Sequence, residues 1–331
     1  MRKLAIITIL IVFFFSSVAN AKERKGIFTM NFSIKSGKGH YTRLWIPYPM
    51  SDEFQRISDV KITGNYDNYA VYRSAEANAV YIYAEWKNPS QVPTLTFQFR
   101  AEAKERTVKE LKEEGNIPVE VRKYLMAERF IPTDGKIKEI ADGIVKGKKG
   151  ILEKARAVYD WVVENTYRDP RVKGCGRGIV EETLAKRGGK CADISTVFVA
   201  LARAAGVPAR DVFGLRLAKV AEKDMTGGYH CWAEFYLPGT GWVPVDPADV
   251  RKIMLIKKLS LEDVKPYREY YFGKVDQYRI VLERSGRGIV LDPPQEDSIN
   301  YFMYPYAEVD GKKLDYLDPE NFSYSIKFKA F

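Results

Sequence analysis

A cysteine near the middle of the chain has surroundings that suit a nucleophile. Cys191 follows a glycine pair in the run Gly188-Gly189-Lys190-Cys191, and it begins a stretch with apolar residues at helical spacing. Unpaired N–H groups and the helix dipole favour negative charge at the first turn of a helix, which lowers the pKa of a thiol and generates a thiolate. The alternative is a small buried core residue, because cysteine is among the most buried residue types. This segment alone leaves both interpretations open.

His230 and Asp246 are the residues that could complete such a site. The sequence contains only two histidines, His40 and His230. Residues 229–237 alternate as a strand does, and residues 238–241 (Pro-Gly-Thr-Gly) predict a hairpin to the strand that ends before Asp246. An ordinary strand histidine and a turn aspartate before proline are the structural alternatives.

The register of this hairpin decides whether the two side chains can meet. Pairing Tyr236 with Trp242 places Trp232 opposite Asp246 and makes His230 the diagonal neighbour of Asp246 on the same face. Diagonal neighbours lie about 7–8 Å apart at the backbone, a gap that an imidazole and a carboxylate can bridge. The three residues together therefore favour a catalytic Cys-His-Asp interpretation.

The elements that must position these residues are helices followed by strands. The predicted helices run from the Thr133-Asp134 cap to Val145, from Ile151 to Asn165, and from Cys191 to a Gly206 cap. The predicted strands are Arg210 to Leu217, Tyr229 to Leu237 and Trp242 to Val245. This order predicts an α+β core in which helices pack on one face of an antiparallel sheet.

The flanking regions are rich in short strand patterns. Before the core, the predicted strands are Ile27 to Ile34, Tyr41 to Ile46, Val80 to Trp86 and Thr94 to Phe99, which indicates a small sandwich-like domain. The charged stretch from Lys104 to Glu114 is predicted to be a helical link. After Lys252 a short helical stretch around Leu261 to Val264 precedes aromatic-rich β-structure through Phe331.

Four blocks in this order resemble the transglutaminase-like superfamily. They are Gly189 to Asp193, Ala205 to Arg210, His230 to Glu234 and Gly241 to Pro247, within a region from about Pro132 to Asp249. The resemblance implies a papain-like core and acyl chemistry at an amide, with Cys191 as nucleophile, His230 as proton donor and Asp246 orienting His230. The Cys191 N–H is the natural first oxyanion donor; Tyr167 and Trp161 are upstream donors without a firm role. We expect no cofactor and no metal.

The two other cysteines leave alternatives open. The chain has three cysteines, an odd number. Cys231 adjoins His230 and is expected to face away from the active site, and Cys175 lies in the loop before the catalytic helix. These two could form a disulfide in an oxidising compartment. A metal site built from Cys175, Cys191, His230 and Cys231 is a further alternative, although the spacings match no standard zinc pattern.

The first 21 residues predict export. Arg2 and Lys3 precede an apolar run from Leu4 to Phe15 and an Ala-x-Ala cleavage pattern ending at Ala21, so the mature chain would have 331 − 21 = 310 residues. A retained membrane anchor is the alternative. The net charge of +10 falls to +8 without Arg2 and Lys3, and the basic residues are interleaved with acids, which argues against nucleic acid as a partner.

Together these observations predict an α+β papain-like or transglutaminase-like core with an N-terminal β-sandwich-like domain and a β-rich C-terminal extension. The predicted segments are 1–21 signal peptide, 22–110 N-terminal β domain, 115–250 catalytic domain and 251–331 extension. The predicted function is that of a periplasmic or secreted thiol hydrolase or acyltransferase acting on peptide or isopeptide bonds, with hydrolysis slightly favoured. Its partner would be a peptide or protein substrate, including those of the cell envelope, without an integral membrane span after signal cleavage. The rival is a catalytically silent module that binds cell-envelope peptides, and the oligomeric state stays open.

Overall fold

The computed structural model describes residues 22–74, 79–284 and 286–331, so the predicted signal peptide lies outside the described residues. The helices are α1 (Gly135–Ile144), α2 (Ile151–Asn165), α3 (Val180–Lys186), α4 (Cys191–Ala204), α5 (Pro247–Lys257) and α6 (Lys265–Tyr270). The strands are β1 (Glu23–Ile34), β2 (Thr42–Pro47), β3 (Gln55–Gly64), β4 (Asn68–Ser74), β5 (Ala79–Trp86), β6 (Thr94–Lys104), β7 (Arg106–Thr107), β8 (Tyr167–Arg168), β9 (Gly188–Gly189), β10 (Ala209–Arg216), β11 (Glu222–Asp224), β12 (Tyr229–Leu237), β13 (Gly241–Val245), β14 (Lys274–Val275), β15 (Arg279–Arg284), β16 (Tyr306–Val309), β17 (Lys312–Lys313) and β18 (Phe322–Ala330).

The layer that carries His230 is a four-stranded antiparallel sheet with α4 packed against it. The strand order is β13-β12-β10-β15, and the helix contacts β12 and β10. Every residue of α4 is buried, because other helices cover the side that does not face the sheet. The predicted α+β class, with helices packed on an antiparallel sheet, is confirmed.

Two five-stranded sheets form the β-rich remainder. One has the order β11-β18-β1-β6-β3 and the other β17-β16-β2-β5-β4. Their inner faces share one apolar core, in which Phe28 and Phe97 of the first sheet join Leu44 and Ile82 of the second. Strands from both ends of the chain therefore build this sandwich: β18 pairs with β1, and β16 pairs with β2.

Local signals explain the ends of α4. The Asp193 carboxylate accepts a hydrogen bond from the Lys190 backbone N–H at 2.9 Å, which satisfies a donor that the helix itself leaves unpaired. At the other end Gly206 adopts a φ of +81° and donates to the Arg203 carbonyl, which ends the helix as predicted.

The hairpin of β12 and β13 has the predicted register. Tyr236 pairs with Trp242, and Ala233 pairs with Val245. The next pair in this register is Trp232 with Asp246, as predicted. The period-two alternation and the glycine-containing turn are local signals, and they were sufficient to set this register.

Three segments differ from the sequence prediction. The helical stretch predicted around Leu261 to Val264 consists of turns, and α6 begins after it at Lys265. Residues 104–114 do not form a helix; the backbone of Arg106 pairs with β14, and its guanidinium contacts the buried Glu234 carboxylate. Conversely, α5 begins directly after Asp246, where no helix was predicted, with Pro247 at its first position. Tertiary pairing overrides helix propensity at residues 104–114, and proline at the first helical position was the neglected signal for α5.

Within the described residues, no helix combines the length and the apolar character that crossing a bilayer requires.

Candidate active site

Cys191 is the first residue of α4, and its side chain is almost completely enclosed, with 2% of the residue exposed. The His230 side chain lies close enough to this thiol to help lower its pKa. The predicted nucleophile therefore does begin a helix and does face the predicted histidine.

His230 is the second residue of β12, and it contacts the predicted aspartate. His230 Nε2 lies 2.7 Å from Asp246 Oδ2, which leaves Nδ1 as the ring nitrogen available to Cys191. Asp246 caps α5, because its Oδ1 accepts the Asp249 backbone N–H at 2.8 Å. The structure brings Cys191, His230 and Asp246 together, whereas His40 lies on the surface beside Asp310.

The environment of Cys191 favours its thiolate. Hydrogen bonds from Cys175 and Cys231, together with the adjacent His230, outweigh burial and hold the pKa of the Cys191 thiol well below its ordinary value. The pKa of Cys175 is raised by its hydrogen bond with Cys191, and burial raises the pKa of Cys231. Within this cluster, ionisation is therefore favoured at Cys191 and disfavoured at Cys175 and Cys231.

A buried charge network that the sequence did not reveal surrounds Asp246. Arg279 donates to Asp246 Oδ2 at 2.6 Å, to Asp276 Oδ2 at 2.7 Å and to Asp249 Oδ2 at 3.1 Å. Arg216 donates to Asp249 Oδ1 at 2.5 Å. The proximity of Asp249 to Asp246 in a capping motif was a usable signal, but nothing local connects Arg279 to the site.

The network keeps the Asp249 and Asp276 carboxylates ionised despite burial. Burial alone would raise the pKa of Asp249, but Arg216, His230 and Arg279 hold it well below its ordinary range. Asp276 behaves similarly: Arg279 outweighs its burial, and the pKa falls to about 2. Asp249 and Asp276 are thus charged at neutral pH, and their negative charge can stabilise an imidazolium at His230.

A glycine-rich loop holds Cys175 against the start of α4. The Cys175 carbonyl accepts the Ala192 backbone N–H at 2.9 Å. The Asp193 carboxylate accepts the backbone N–H groups of Arg177 and Gly178, each at 2.9 Å. A Cβ on Gly176 would lie only 1.9 Å from Asp193 Oδ2, so this close approach needs glycine.

The prediction that Cys231 faces away from the active site is wrong. The sulfur atoms of Cys175, Cys191 and Cys231 all lie within 4.8 Å of one another. Alternation along β12 does hold, because Trp232 packs with Val212 on one face while Cys231 joins the main core on the other. Helix α4 packs on that second face. Cys231 therefore points away from His230 and still lies beside Cys191.

The structure bears on the two alternatives for Cys175 and Cys231, a disulfide between them and a shared metal site. All three cysteines are free thiols. His230 groups with Asp246 and Asp249 rather than with the three sulfur atoms, so the four ligands of the alternative metal site do not converge on one point.

The first two backbone amides of α4 have different availability as oxyanion donors. The Ala192 N–H is already bonded to Cys175, which leaves the Cys191 N–H as the candidate. Of the two upstream side chains, Tyr167 is 41% exposed and packs over Gly188, whereas Trp161 stacks with the Arg187 guanidinium.

Comparison with known proteins identifies the family. The sequence model of the transglutaminase-like superfamily matches residues 138–247, which include Cys191, His230 and Asp246. An uncharacterized protein of Haemophilus influenzae is 38% identical over an alignment that covers 91% of this chain and 89% of that protein. The chain belongs to the transglutaminase-like superfamily.

Two further similarities concern the fold and part of the sequence. A crystal structure of a putative cysteine protease from Cytophaga hutchinsonii aligns with a TM-score of 0.57 and 14% identity, covering 94% of this chain and 99% of that chain, so the two share a fold. The uncharacterized protein YebA of Bacillus subtilis is 27% identical over a region covering 39% of this chain and 20% of that protein.

Proposed function

We propose that this protein is an exported thiol-dependent hydrolase or acyltransferase that acts on peptide or isopeptide bonds. In this proposal Cys191 is the nucleophile, His230 the general acid and base, and Asp246 the residue that orients His230. The observation that carries the proposal is the 2.7 Å contact of His230 Nε2 with Asp246, made beside the Cys191 thiol, whose pKa His230 helps to lower. A module that only binds peptides needs none of these three groups.

The proposed reaction has two stages. The Cys191 thiolate attacks the amide carbonyl, and the Cys191 N–H donates to the oxyanion that forms. His230 then protonates the leaving amine, which leaves a thioester on Cys191. Water or a second amine attacks the thioester while His230 accepts its proton, and the free thiol is regenerated.

A polar cavity at the start of α4 is the proposed substrate-binding region. The cavity measures about 480 Å³. Gly188 and Asp193, which flank Cys191 in the sequence, line it together with Tyr167, which pairs with Gly188. Charged side chains of both signs, including Arg171 and Glu182, complete the lining. Side chains of both signs suit a polar peptide better than an apolar ligand.

Peptide turnover tests the catalytic proposal. Protein comprising residues 22–331 is incubated with cell-envelope peptides, with and without an added primary amine, and the products are analysed by mass spectrometry. New peptide termini indicate hydrolysis, and amine adducts indicate acyl transfer; both should vanish in Cys191→Ala. A wild-type protein that retains peptides as well as Cys191→Ala does, without altering them, would establish the silent binding module instead.

The proposed location follows from the basic and apolar residues before Lys22. The intact mass of the protein isolated from its native cells tests it. An N-terminus at or near Lys22 is expected, and a chain that still carries residues 1–21 would contradict cleavage and favour a retained anchor.

A further inference from the structure

We propose that Cys175 and Cys191 form a reversible disulfide when a peroxide oxidises the site, and that this disulfide protects the nucleophile. The proposal rests on the proposed function in one respect, because it takes Cys191 as the ionised, reactive thiol. It adds a chemical role for Cys175, which the acyl-transfer steps do not use.

The geometry that supports it is the cluster of three sulfur atoms. The sequence has three cysteines, and all three sulfurs lie within 4.8 Å of one another although they come from a loop, a helix and a strand. All are buried, with Cys175 4%, Cys191 2% and Cys231 0% exposed. A disulfide requires sulfurs about 2.0 Å apart, so side-chain rotation with a modest backbone shift has to close the remaining gap.

The chemistry starts at Cys191, because the thiolate is the form that reacts with peroxide. Its sulfur attacks one peroxide oxygen; an S–O bond forms, the O–O bond breaks, and hydroxide leaves and becomes water with the proton that the Cys191 thiol released on ionising. The Cys175 sulfur then attacks the sulfenic acid; an S–S bond forms, the S–O bond breaks, and the second hydroxide leaves with the Cys175 proton as water. Two thiols are oxidised, and one hydrogen peroxide is reduced to two waters.

Cys175 is a better resolving thiol than Cys231 because it lies outside the regular secondary structure. Cys175 lies in a turn outside regular structure, anchored by the Ala192 N–H and the Tyr304 hydroxyl. Cys231 lies inside β12, where it pairs with Phe213 of β10. Moving Cys231 towards Cys191 would break the sheet ladder, whereas moving Cys175 requires only a loop adjustment.

A disulfide also suits this cluster better than a metal ion. Metal binding needs the thiols deprotonated, and the pKa values of both Cys175 and Cys231 are raised. A disulfide carries no charge, so it forms in apolar surroundings without the desolvation cost of three thiolates.

Trypsin separates the three cysteines, which makes the disulfide directly measurable. Cleavage after lysine and arginine places Cys175 in residues 174–177, Cys191 in residues 191–203 and Cys231 in residues 224–251. Protein of residues 22–331 is treated with hydrogen peroxide, alkylated without reductant, digested and analysed by mass spectrometry. We expect a linked pair of peptides 174–177 and 191–203 that separates on reduction.

Two matched variants sharpen the result. In Cys175→Ser the reducible product should be lost, and peptide 191–203 should gain two oxygen atoms as an irreversible sulfinic acid. In Cys231→Ser the linked pair should form as in the wild type. A link from Cys191 to Cys231, a link between Cys175 and Cys231, or a wild-type Cys191 that goes to sulfinic acid unlinked would overturn the proposal.

The peptide map needs no turnover, so the two proposals fail separately. A protein that forms the link but never alters a peptide contradicts only the proposed function. A protein that turns over peptides without forming the link contradicts only the protective disulfide. The wild-type map decides the matter even if Cys175→Ser does not fold.

Discussion

At the scale of single residues, two neighbouring carboxylates beside His230 are expected to do different work. Asp246 makes the 2.7 Å contact with the imidazole, while the nearest Asp249 oxygen is 3.7 Å from the same nitrogen. Asp249 instead pairs with Arg216 and Arg279. We therefore propose that the first carboxylate orients the ring and that the second chiefly compensates buried guanidinium groups.

Asparagine variants of these two residues should separate the two effects. Asp246→Asn should lower kcat by about 10⁴, as in a related triad, because the amide favours the wrong imidazole tautomer. Asp249→Asn should instead lower the free energy of unfolding by about 3–5 kcal/mol, because it leaves buried charge uncompensated. Peptide turnover and urea denaturation measure the two quantities. A variant pair with equal turnover losses and equal stability losses would contradict this division.

The depressed pKa of Asp249 predicts how the free energy of unfolding depends on pH. Because the pKa of Asp249 is depressed in the folded protein, its stabilisation is complete above the ordinary pKa of about 3.9 and is lost as pH falls through the folded value. We expect the wild type to lose stability more steeply than Asp249→Asn below about pH 4. Urea midpoints at a series of pH values measure this, and parallel curves would contradict it.

Cys191 should react with alkylating agents at unusually low pH. Its lowered pKa keeps the thiolate populated below about pH 8.5, the ordinary value for a cysteine. Iodoacetamide should therefore label Cys191 near neutral pH, while Cys175 and Cys231, whose pKa values are raised, stay unlabelled in the folded protein. Peptide mass mapping at several pH values measures this. Equal labelling of all three cysteines would show that Cys191 is not activated.

At the scale of elements, the attachment of the Cys175 loop to α4 shapes the site. Asp193 joins both, because its carboxylate accepts N–H groups from the loop and from Lys190 at the helix start. Burial raises the pKa of Asp193 and outweighs these hydrogen bonds, which lower it. The loop, the helix N-terminus and Cys191 should therefore respond as one unit to changes at this contact.

Gly176→Ala should disrupt this unit, with Gly206→Ala as its matched control. Both glycines have positive φ, +92° and +81°, but only a Cβ at Gly176 would meet another group. We expect Gly206→Ala to cost about 1–2 kcal/mol from left-handed backbone strain, and Gly176→Ala to cost about a further 1–3 kcal/mol from steric overlap. Urea denaturation measures both. Equal losses would mean that the loop accommodates the methyl group freely.

At the scale of the whole molecule, the last 81 residues belong structurally to both layers. The segment 251–331 contributes β15 to the four-stranded sheet that carries His230, beside β10, and it contributes β16 and β18 to the two sheets of the sandwich. It also supplies Arg279, which donates to Asp246. We therefore propose that the predicted C-terminal extension and N-terminal β domain fold as one unit with the catalytic core.

A chain of residues 22–250 should consequently fail to fold cooperatively. It would expose the β1 edge that β18 covers and remove the strand beside β10, so apolar faces and backbone groups would lose their partners. Near-ultraviolet circular dichroism and thermal melting, compared with residues 22–331, measure the effect. Recovery of the native spectrum on co-expression with residues 251–331 would support the explanation, and a sharp native-like melt of residues 22–250 alone would contradict it.

The sequence by itself determined the features that depend on near neighbours along the chain. Apolar spacing and caps predicted α2 and α4, and alternation with a Pro-Gly-Thr-Gly turn predicted the hairpin register that brings His230 to Asp246. The helices depend on residues a few positions apart, and a single turn sets the register of the hairpin. A local sequence pattern is therefore enough to predict both. The helix predicted at residues 104–114 was wrong because a distant strand and Glu234 fix Arg106 there.

Only the tertiary structure decided which distant residues complete the site. Arg279 reaches Asp246 across 33 positions, the Tyr304 hydroxyl accepts the Cys175 N–H across 129, and β18 pairs with β1 from the opposite end of the chain. Such contacts depend on how sheets and helices stack, and no short-range pattern encodes that. Strand alternation correctly placed Cys231 on the face opposite His230. The packing of α4 on that face brought all three cysteine sulfurs together.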